Sequence, residues 1–449
     1  MAATVARTGQ AVQESSRGQL VRAVASAAIG NTIAWYDFFL YGLAATLVLG
    51  RLFFPTGNAF ASVLLALTTY FVGFAARPLG AMLFGHLGDR IGRKATLTAT
   101  LLLLGLATPL IGVAPTYAQA GVLGGIILAL LRLVQGLAIG GEWGGSVLLS
   151  LEWGHRGRRG LIGSWTQLGI PAGLGLAYGS FQLFTSWLGP DQGWRYPFLL
   201  SVVLIAVAVY IRIGVRETPV FTALLESRRI EQSPVLEAVT RQWREVILTA
   251  LLRIGQATPF SVFTVFVLSY ATDTLKLRQA DVLDAVLAAA GLSVLAVLLW
   301  GFVSDIVGRR RLVMIGCVVM LAWAYPYFML LDTRMPLLIL LAILVSLPIQ
   351  DIQSAPQAAL LAESFSGRWR YSGASLGYNL TTLIADGPAP LIAFALLHAY
   401  RSSLAVAIYV AVCAVIGLLA AAGLRDRSRL DMSTEHDEAT AALPAARKA

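Results

Sequence analysis

The chain has 449 residues, of which 57% are hydrophobic and only 13% are charged. A soluble domain carries about 25% charged residues, so this composition excludes a water-soluble protein. Because a helix needs roughly 20 apolar residues to cross a bilayer, the length suits about twelve crossings joined by short loops. Long unbroken apolar runs favour helices over the short alternating strands of a membrane barrel.

The net charge of +10 would point to nucleic acid in a soluble protein. Here the positive residues are concentrated in alternate loops, as is typical of membrane proteins, and we expect no nucleic-acid partner. The two cysteines and four histidines lack metal-ligand spacing, and the sequence has no GxxxxGK[ST] phosphate-binding loop. We therefore predict no enzymatic activity, no metal and no cofactor.

Twelve apolar segments, in two groups of six, predict an all-α polytopic membrane protein. In chain order they are 24–49, 61–85, 95–114, 121–150, 160–187, 195–214, 245–270, 280–302, 312–331, 336–363, 372–397 and 402–424. The predicted domains are an N-terminal segment (1–22), a six-helix bundle (23–214), a linker with a surface helix (215–244), a second six-helix bundle (245–424) and a tail (425–449).

A short polar hairpin follows the second apolar segment and recurs in altered form after the eighth. The copies read GHLGDRIGRK at 85–94 and GFVSDIVGRR at 301–310. Such a repeat predicts two pseudo-symmetric bundles around a central site. We expect the hairpin charges to gate one end of a pathway, with Asp89 favoured by the dipole of the third helix. The candidate gate residues are Gly85, Asp89, Arg90, Gly92, Arg93, Asp305, Gly308 and Arg309.

Lysine and arginine are frequent in the loops after segments 2, 4, 8 and 10, and sparse in the intervening loops. By the positive-inside rule, both termini and the linker then face the cytoplasm. An even number of crossings also requires both termini on one side, which agrees with this orientation.

Polar side chains inside the apolar segments are the candidates for a functional site, because an ionised one costs about 2.5–3.5 kcal/mol to insert. Arg77 and Arg253 are the predicted anchors for a solute carboxylate, whose geometry a guanidinium matches. Each could equally be neutralised by a protein carboxylate such as Asp37. The candidate solute-binding residues are Tyr36, Tyr41, Arg77, Gln135, Trp165, Gln167, Arg253, Gln256, Gln357, Tyr378 and Asn379.

A second set of buried charges is predicted to serve proton coupling. Asp37 shares a helix face with Tyr41, and Asp386 shares a stripe with Asn379. The alternative for each member is a structural ion pair or an interhelical hydrogen bond. The candidate coupling residues are Asp37, Arg132, Glu142, Asp351 and Asp386.

Several motifs resemble a known family. The hairpin pair and the RLVQG stretch at 132–136 are similar to motifs of the major facilitator superfamily. The stretches WYDFFLYG at 35–42, GGEWGG at 140–145 and YSGASLGY at 371–378 resemble its metabolite:proton symporters, especially the shikimate-transporter-like branch. The resemblance implies two six-helix halves, alternating access, and uptake driven by a proton gradient. It also implies a monomer in the bacterial cytoplasmic (inner) membrane.

Some positions depart from the family pattern. Ala34 and Gln256 stand where relatives often carry acidic residues, whereas Asp351 and Asp386 stand where uncharged residues are expected. Our hypothesis is that the proton-carrying acid has moved in this chain, or that coupling differs.

We therefore expect a proton-coupled symporter for a small polar organic acid. A shikimate-like cyclic hydroxy acid is the favoured solute, followed by dicarboxylates and aromatic acids. A betaine or proline symporter, a drug or metabolite exporter of the same fold, and a membrane sensor without flux are the alternatives.

Overall fold

Helices form every regular element in the described residues of the computed structural model, which are 2–154, 156–218, 221–222 and 234–428. We number the membrane-crossing helices α1 to α12. The first half contains α1 Ala2–Ala44, α2 Ala59–Ile91, α3 Arg93–Val113, α4 Val122–Glu152, α5 Arg159–Gln167 with Gly169–Leu188, and α6 Arg195–Ile213. The second half contains α7 Trp243–Ser261, α8 Gln279–Val307, α9 Arg309–Asp332, α10 Pro336–Glu363, α11 Arg370–Thr381 with Ala389–Tyr400, and α12 Ser403–Gly423.

Eleven helical segments in the described part of the chain are long and apolar enough to cross a membrane. The twelfth predicted crossing is α5, which breaks at Leu168 and carries many Gly, Ser, Thr and Gln residues that lower its hydropathy. The predicted fold class, an all-α polytopic protein with two similar helix bundles, is confirmed.

Most boundaries lie near the predicted ones, and the clearest difference is at the start of α1. Helix α1 begins at Ala2, so the predicted N-terminal segment is helical and forms one continuous helix with the first crossing. The predicted linker helix is present at Pro234–Arg241. Residues 219–220 and 223–233 of the linker and 429–449 of the tail lie outside the described residues.

Both repeated hairpins turn at a glycine with positive φ. Gly92 separates α2 from α3 at φ 107°, and Gly308 separates α8 from α9 at φ 98°. Side chains with a Cβ rarely adopt this backbone region, which explains glycine at both positions. We call this side of the molecule the hairpin end, and the opposite side the far end.

Helices α2 and α4 cross closely because glycines line their contact. A Cβ on Gly136 would meet the carbonyl oxygen of Gly73, and one on Gly140 would meet that of Arg77. Small residues of this kind let membrane helices approach backbone to backbone. This crossing places Arg77 at the centre of the molecule.

We expect Gly140→Ala to destabilise the protein, because the added methyl group would contact backbone atoms of Arg77 and Ala81 that cannot move independently. Overpacking costs roughly 1–3 kcal/mol, so the thermal unfolding temperature of the purified protein should fall by several degrees. Gly175→Ala is the matched control, since a Cβ there meets no atom within 4 Å. Equal unfolding temperatures for the two variants would contradict the close crossing.

Candidate functional site

A central cavity lies between the two halves. Its lining comes from α1, α2 and α4 of the first half and from α11 of the second. The cavity has room for about one water molecule. The lining residues are Asn31, Ala34, Trp35, Arg77, Ile139, Trp143, Tyr378 and Asn379.

Arg77 is the cation of this cavity. Arg77 is 4% exposed, and its guanidinium carbon lies 4.6 Å from the Phe74 ring centroid and 5.3 Å from the Phe38 ring centroid. Among the described residues it makes no ion pair and no hydrogen bond. A buried guanidinium that makes no ion pair with a described residue is costly, and an anion in the cavity would reduce that cost.

A stack of flat groups joins the halves beside the cavity. The rings of Trp143 and Tyr378 are stacked with centroids 3.6 Å apart. The guanidinium of Arg253 lies 3.6 Å from the Tyr378 centroid, and its Nη1 donates to Asp386 Oδ2 at 2.7 Å. Arg253 is therefore neutralised by Asp386, unlike Arg77, although both were predicted as anchors.

Two asparagines of the cavity hold fixed amide orientations. Asn379 Nδ2 donates to the Gly140 carbonyl at 2.9 Å and to the Ser375 carbonyl at 2.8 Å. Asn31 Nδ2 donates to the Thr166 carbonyl at 2.6 Å. Because both amide nitrogens are bound to carbonyl oxygens, each amide oxygen is left as an acceptor.

Asp37 and Arg132 lie in a polar cluster inside the first half. Arg132 Nη1 donates to Asp37 Oδ2 at 3.1 Å and to Gln135 Oε1 at 2.8 Å. Gln135 Nε2 and Thr108 Oγ1 also donate to Asp37. The Arg132 guanidinium lies 4.0 Å from the Tyr41 ring centroid. These candidates are brought together, but with one another instead of at the cavity.

Two further candidates of the first half are also bound within it. Glu142 pairs with Arg212 at 2.9 Å and accepts from Thr100 at 2.7 Å. Tyr36 donates its hydroxyl to the Pro197 carbonyl at 2.6 Å. Neither residue lines the central cavity.

The two candidate residues of α5, Trp165 and Gln167, lie in different environments. Gln167 accepts from Trp143 Nε1 at 3.0 Å and donates to the Ser354 carbonyl at 2.9 Å, so it ties the halves together. Trp165 is 41% exposed and does not line the cavity. Residues two apart on a helix point in nearly opposite directions, which explains the difference.

The remaining second-half candidates are buried polar groups without strong partners. Asp351 accepts from Ser293 Oγ at 2.5 Å and has no cation partner among the described residues. The amide nitrogen and oxygen of Gln357 are buried without hydrogen bonds within that same set. Gln256 is 4% exposed. None of the three lines the cavity.

The first gate cluster, defined as Asp89, Arg93, Glu152 and Arg370, joins the halves at the hairpin end. Asp89 accepts from the backbone nitrogens of Tyr371 at 3.3 Å and Ser372 at 2.9 Å, at the start of α11. It also pairs with Arg93 at 3.2 Å. Glu152 lies 3.5 Å from Arg93 and 3.7 Å from Arg370.

The second gate cluster, defined as Asp305, Arg309, Glu363 and Arg159, repeats this arrangement with the halves exchanged. Asp305 accepts from the backbone nitrogens of Gly160 at 2.7 Å and Leu161 at 2.9 Å, at the start of α5. It pairs with Arg309 at 2.9 Å. Glu363 lies 3.4 Å from Arg159 and 3.5 Å from Arg309.

The other predicted gate residues have backbone roles or lie at the surface. Gly85 packs against the backbone of Ser372. Gly92 and Gly308 make the hairpin turns. Arg90 is exposed, with its guanidinium 3.3 Å from the His86 ring nitrogen.

Aromatic side chains close the cavity towards the far end. The Trp35 and Phe260 rings meet edge to face at 5.6 Å between centroids, and Phe39 lies 6.0 Å from Phe260. These contacts join α1 to α7. Ionic contacts therefore hold the halves together at one end and apolar contacts hold them at the other.

We expect Asp89→Asn to change the transport rate about tenfold with little change in solute selectivity, because it weakens the cap on α11 without touching the cavity. Solute counterflow in proteoliposomes measures the rate, and competing solutes measure selectivity. Asp284→Asn, an exposed position on α8, is the control. An altered order of competitors with an unchanged rate would oppose a gating role.

Several residues of these arrangements were missed from the sequence. Glu152 and Glu363 end equivalent helices of the two halves, and their matching positions were the available signal. Glu217 of the linker accepts from the backbone nitrogens of Arg93 at 3.2 Å and Lys94 at 3.1 Å. Asn31 was missed because a single amide in an apolar segment carries no pattern.

Comparison with known proteins agrees with this architecture. Residues 27–385 match the family described as the Major Facilitator Superfamily. The inner membrane metabolite transport protein YhjE of Escherichia coli (strain K12) is 37% identical over 403 residues, covering 87% of this chain and 91% of that protein. The shikimate transporter of the same organism is 34% identical over 416 residues, covering 91% of this chain and 95% of that protein.

A solved structure shares the fold at lower identity. The proton:xylose symporter XylE, bound to 6-bromo-6-deoxy-D-glucose, matches with a TM-score of 0.72 and 17% identity, over 91% of this chain and 95% of that one. At this identity the likeness concerns the fold alone. The chain therefore belongs to the Major Facilitator Superfamily, where it resembles metabolite and shikimate transporters, and it is a multi-span secondary active transporter and not an enzyme.

Proposed function

We propose that this transporter takes up small carboxylates together with protons, and that Arg77 binds the solute carboxylate. The observation that carries the proposal is the buried Arg77 guanidinium, which has no ion pair or hydrogen bond among the described residues. Its neighbours in the cavity are aromatic rings and amide groups. A solute carboxylate would supply the missing counter-ion through a paired, charge-assisted contact.

We propose Asp386 as the coupling acid. In its ionised form it neutralises Arg253, whose guanidinium lies against the ring of the cavity residue Tyr378, so it competes with a solute anion for that charge. When it takes up a proton, the Arg253 guanidinium becomes free to attract the anion alongside Arg77. Coupling of this kind is reciprocal, so the anion and the proton bind together.

Asp351 is the second candidate for coupling. It is 3% exposed, and its only described polar partner is the Ser293 hydroxyl. Burying a carboxylate without a cation is costly, and a bound proton removes that cost. Asp351 lies inside the second half, however, and the described contacts give it no direct link to Arg77.

The two closed ends support transport by alternating access. The gate clusters would separate when the cavity opens at the hairpin end, and the contacts of Trp35 and Phe39 with Phe260 would separate when it opens at the far end. A solute larger than one water molecule can enter only if one set of contacts breaks. The positive charge of the hairpin loops favours placing that end in the cytoplasm of a bacterial inner membrane.

Uptake into proteoliposomes tests the proposal. The purified protein is reconstituted with an alkaline interior, and accumulation of radiolabelled shikimate, succinate, benzoate and glycine betaine is measured. We expect accumulation of a carboxylate that collapses when a protonophore removes the pH gradient. Accumulation of glycine betaine alone, or only export of solutes from the vesicles, would contradict carboxylate uptake.

A further inference from the structure

We infer that Asn31 and Asn379 make the site selective for hydroxylated carboxylates, by accepting hydrogen bonds from the hydroxyl groups of the solute. This inference rests on the proposed function and names the class of substrate within it. The observation behind it is that two oriented amide oxygens, one on Asn31 and one on Asn379, line the same cavity as the Arg77 guanidinium.

The Asn379 amide cannot easily rotate. Its nitrogen donates to two backbone carbonyls at once, one on α4 of the other half and one on its own helix. Turning the amide over would place its oxygen against those two carbonyl oxygens, and both contacts would become repulsive. Its oxygen accepts no hydrogen bond from a described residue.

Asn31 presents the same chemistry from the first half. Its nitrogen donates to the carbonyl oxygen of Thr166 on α5, and it is 1% exposed. Its oxygen likewise has no donor within the described ranges. Each half thus contributes one oriented acceptor to the wall that also holds Arg77.

This combination discriminates between classes of anion. A hydroxylated acid can place its carboxylate on Arg77 and its hydroxyls on the two amide oxygens, with its ring against Trp35, Trp143 or Tyr378. A plain apolar acid would leave two buried acceptors unpaired, and that penalty reduces affinity.

The test compares 3,4,5-trihydroxycyclohexanecarboxylate with cyclohexanecarboxylate, which have the same ring and charge. Affinity is measured by isothermal titration calorimetry on the purified full-length protein. We expect the trihydroxy acid to bind about tenfold more tightly. In Asn379→Leu and Asn31→Leu the ratio of the two affinities should fall to about threefold or less, while the affinity for cyclohexanecarboxylate changes little. Asn58→Leu, in an exposed loop, should keep the ratio.

Equal affinities for the two acids in the unmodified protein would overturn the inference, and this comparison needs no variant to fold. Leucine variants that weaken both acids equally, with an unchanged ratio, would also overturn it, because a purely structural role gives that result. If Arg77→Gln loses both acids while the ratio in the unmodified protein is one, the proposed function stands and only this inference fails. If neither acid binds, both fail.

Discussion

Arg77→Gln should reduce carboxylate uptake at subsaturating concentration by roughly 100-fold. The substitution removes the one cavity cation that makes no ion pair with a described residue, and a buried charge pair typically loses 2–5 kcal/mol when one partner is truncated. The measurement is initial uptake of the labelled acid into proteoliposomes at a fixed pH gradient, with protein amounts matched after purification.

Two matched variants make this result specific. Arg77→Lys keeps the charge but loses the fork of donors, so it should fall between the unmodified protein and Arg77→Gln. Arg51→Gln removes an exposed arginine at the far end, whose side chain is 63% exposed, and should transport normally. Normal uptake by Arg77→Gln would show that the anion binds elsewhere.

Asp386→Asn should abolish accumulation driven by the pH gradient and retain exchange of labelled for unlabelled solute. The asparagine is permanently neutral, so Arg253 is no longer neutralised and the anion can bind without a proton. Without a titrating group the proton gradient cannot drive solute uptake, so the solute concentration inside the vesicles should not exceed the concentration outside. Parallel assays of gradient-driven uptake and of counterflow measure both properties in the same vesicles.

Asp351→Asn distinguishes the two coupling candidates. If Asp386 carries the proton, Asp351→Asn should still accumulate solute, whereas loss of accumulation in Asp351→Asn alone would transfer the role to it. Normal proton-driven accumulation in both variants would reject the hypothesis that the coupling acid lies in the second half of this chain.

The architecture was predictable because it follows from features that are local in sequence. Apolar length predicts the helices, and the recurrence of an acid, a glycine and a basic cluster at 85–94 and 301–310 predicts paired structures at one end. Asp89 and Asp305 do lie in equivalent clusters, each capping a helix of the opposite half. The expected contact of Asp89 with the start of α3 was wrong, because Asp89 lies in the last turn of α2 and Glu217 accepts from the first nitrogens of α3. Their gating role stays a prediction.

The partners of the buried charges were not predictable in the same way. Arg77, Arg132 and Arg253 look alike in the sequence, since each is a lone arginine in an apolar segment. Which one makes no ion pair with a described residue depends on how helices rotate and cross. Arg132 reaches Asp37 on α1 and Arg253 reaches Asp386 beside α11, whereas Arg77 faces the cavity. Only the three-dimensional packing separates the arginine that lines the cavity from the two that form ion pairs.

Proton uptake on solute binding tests the central claim most directly, because it measures the anion and the proton in one event. The purified protein is placed in weakly buffered solution with a pH indicator, and the transported carboxylate is added. We predict that the medium becomes more alkaline in step with binding, and that the change is absent in Arg77→Gln and in Asp386→Asn. Saturable binding of the carboxylate with no change in pH would contradict the account.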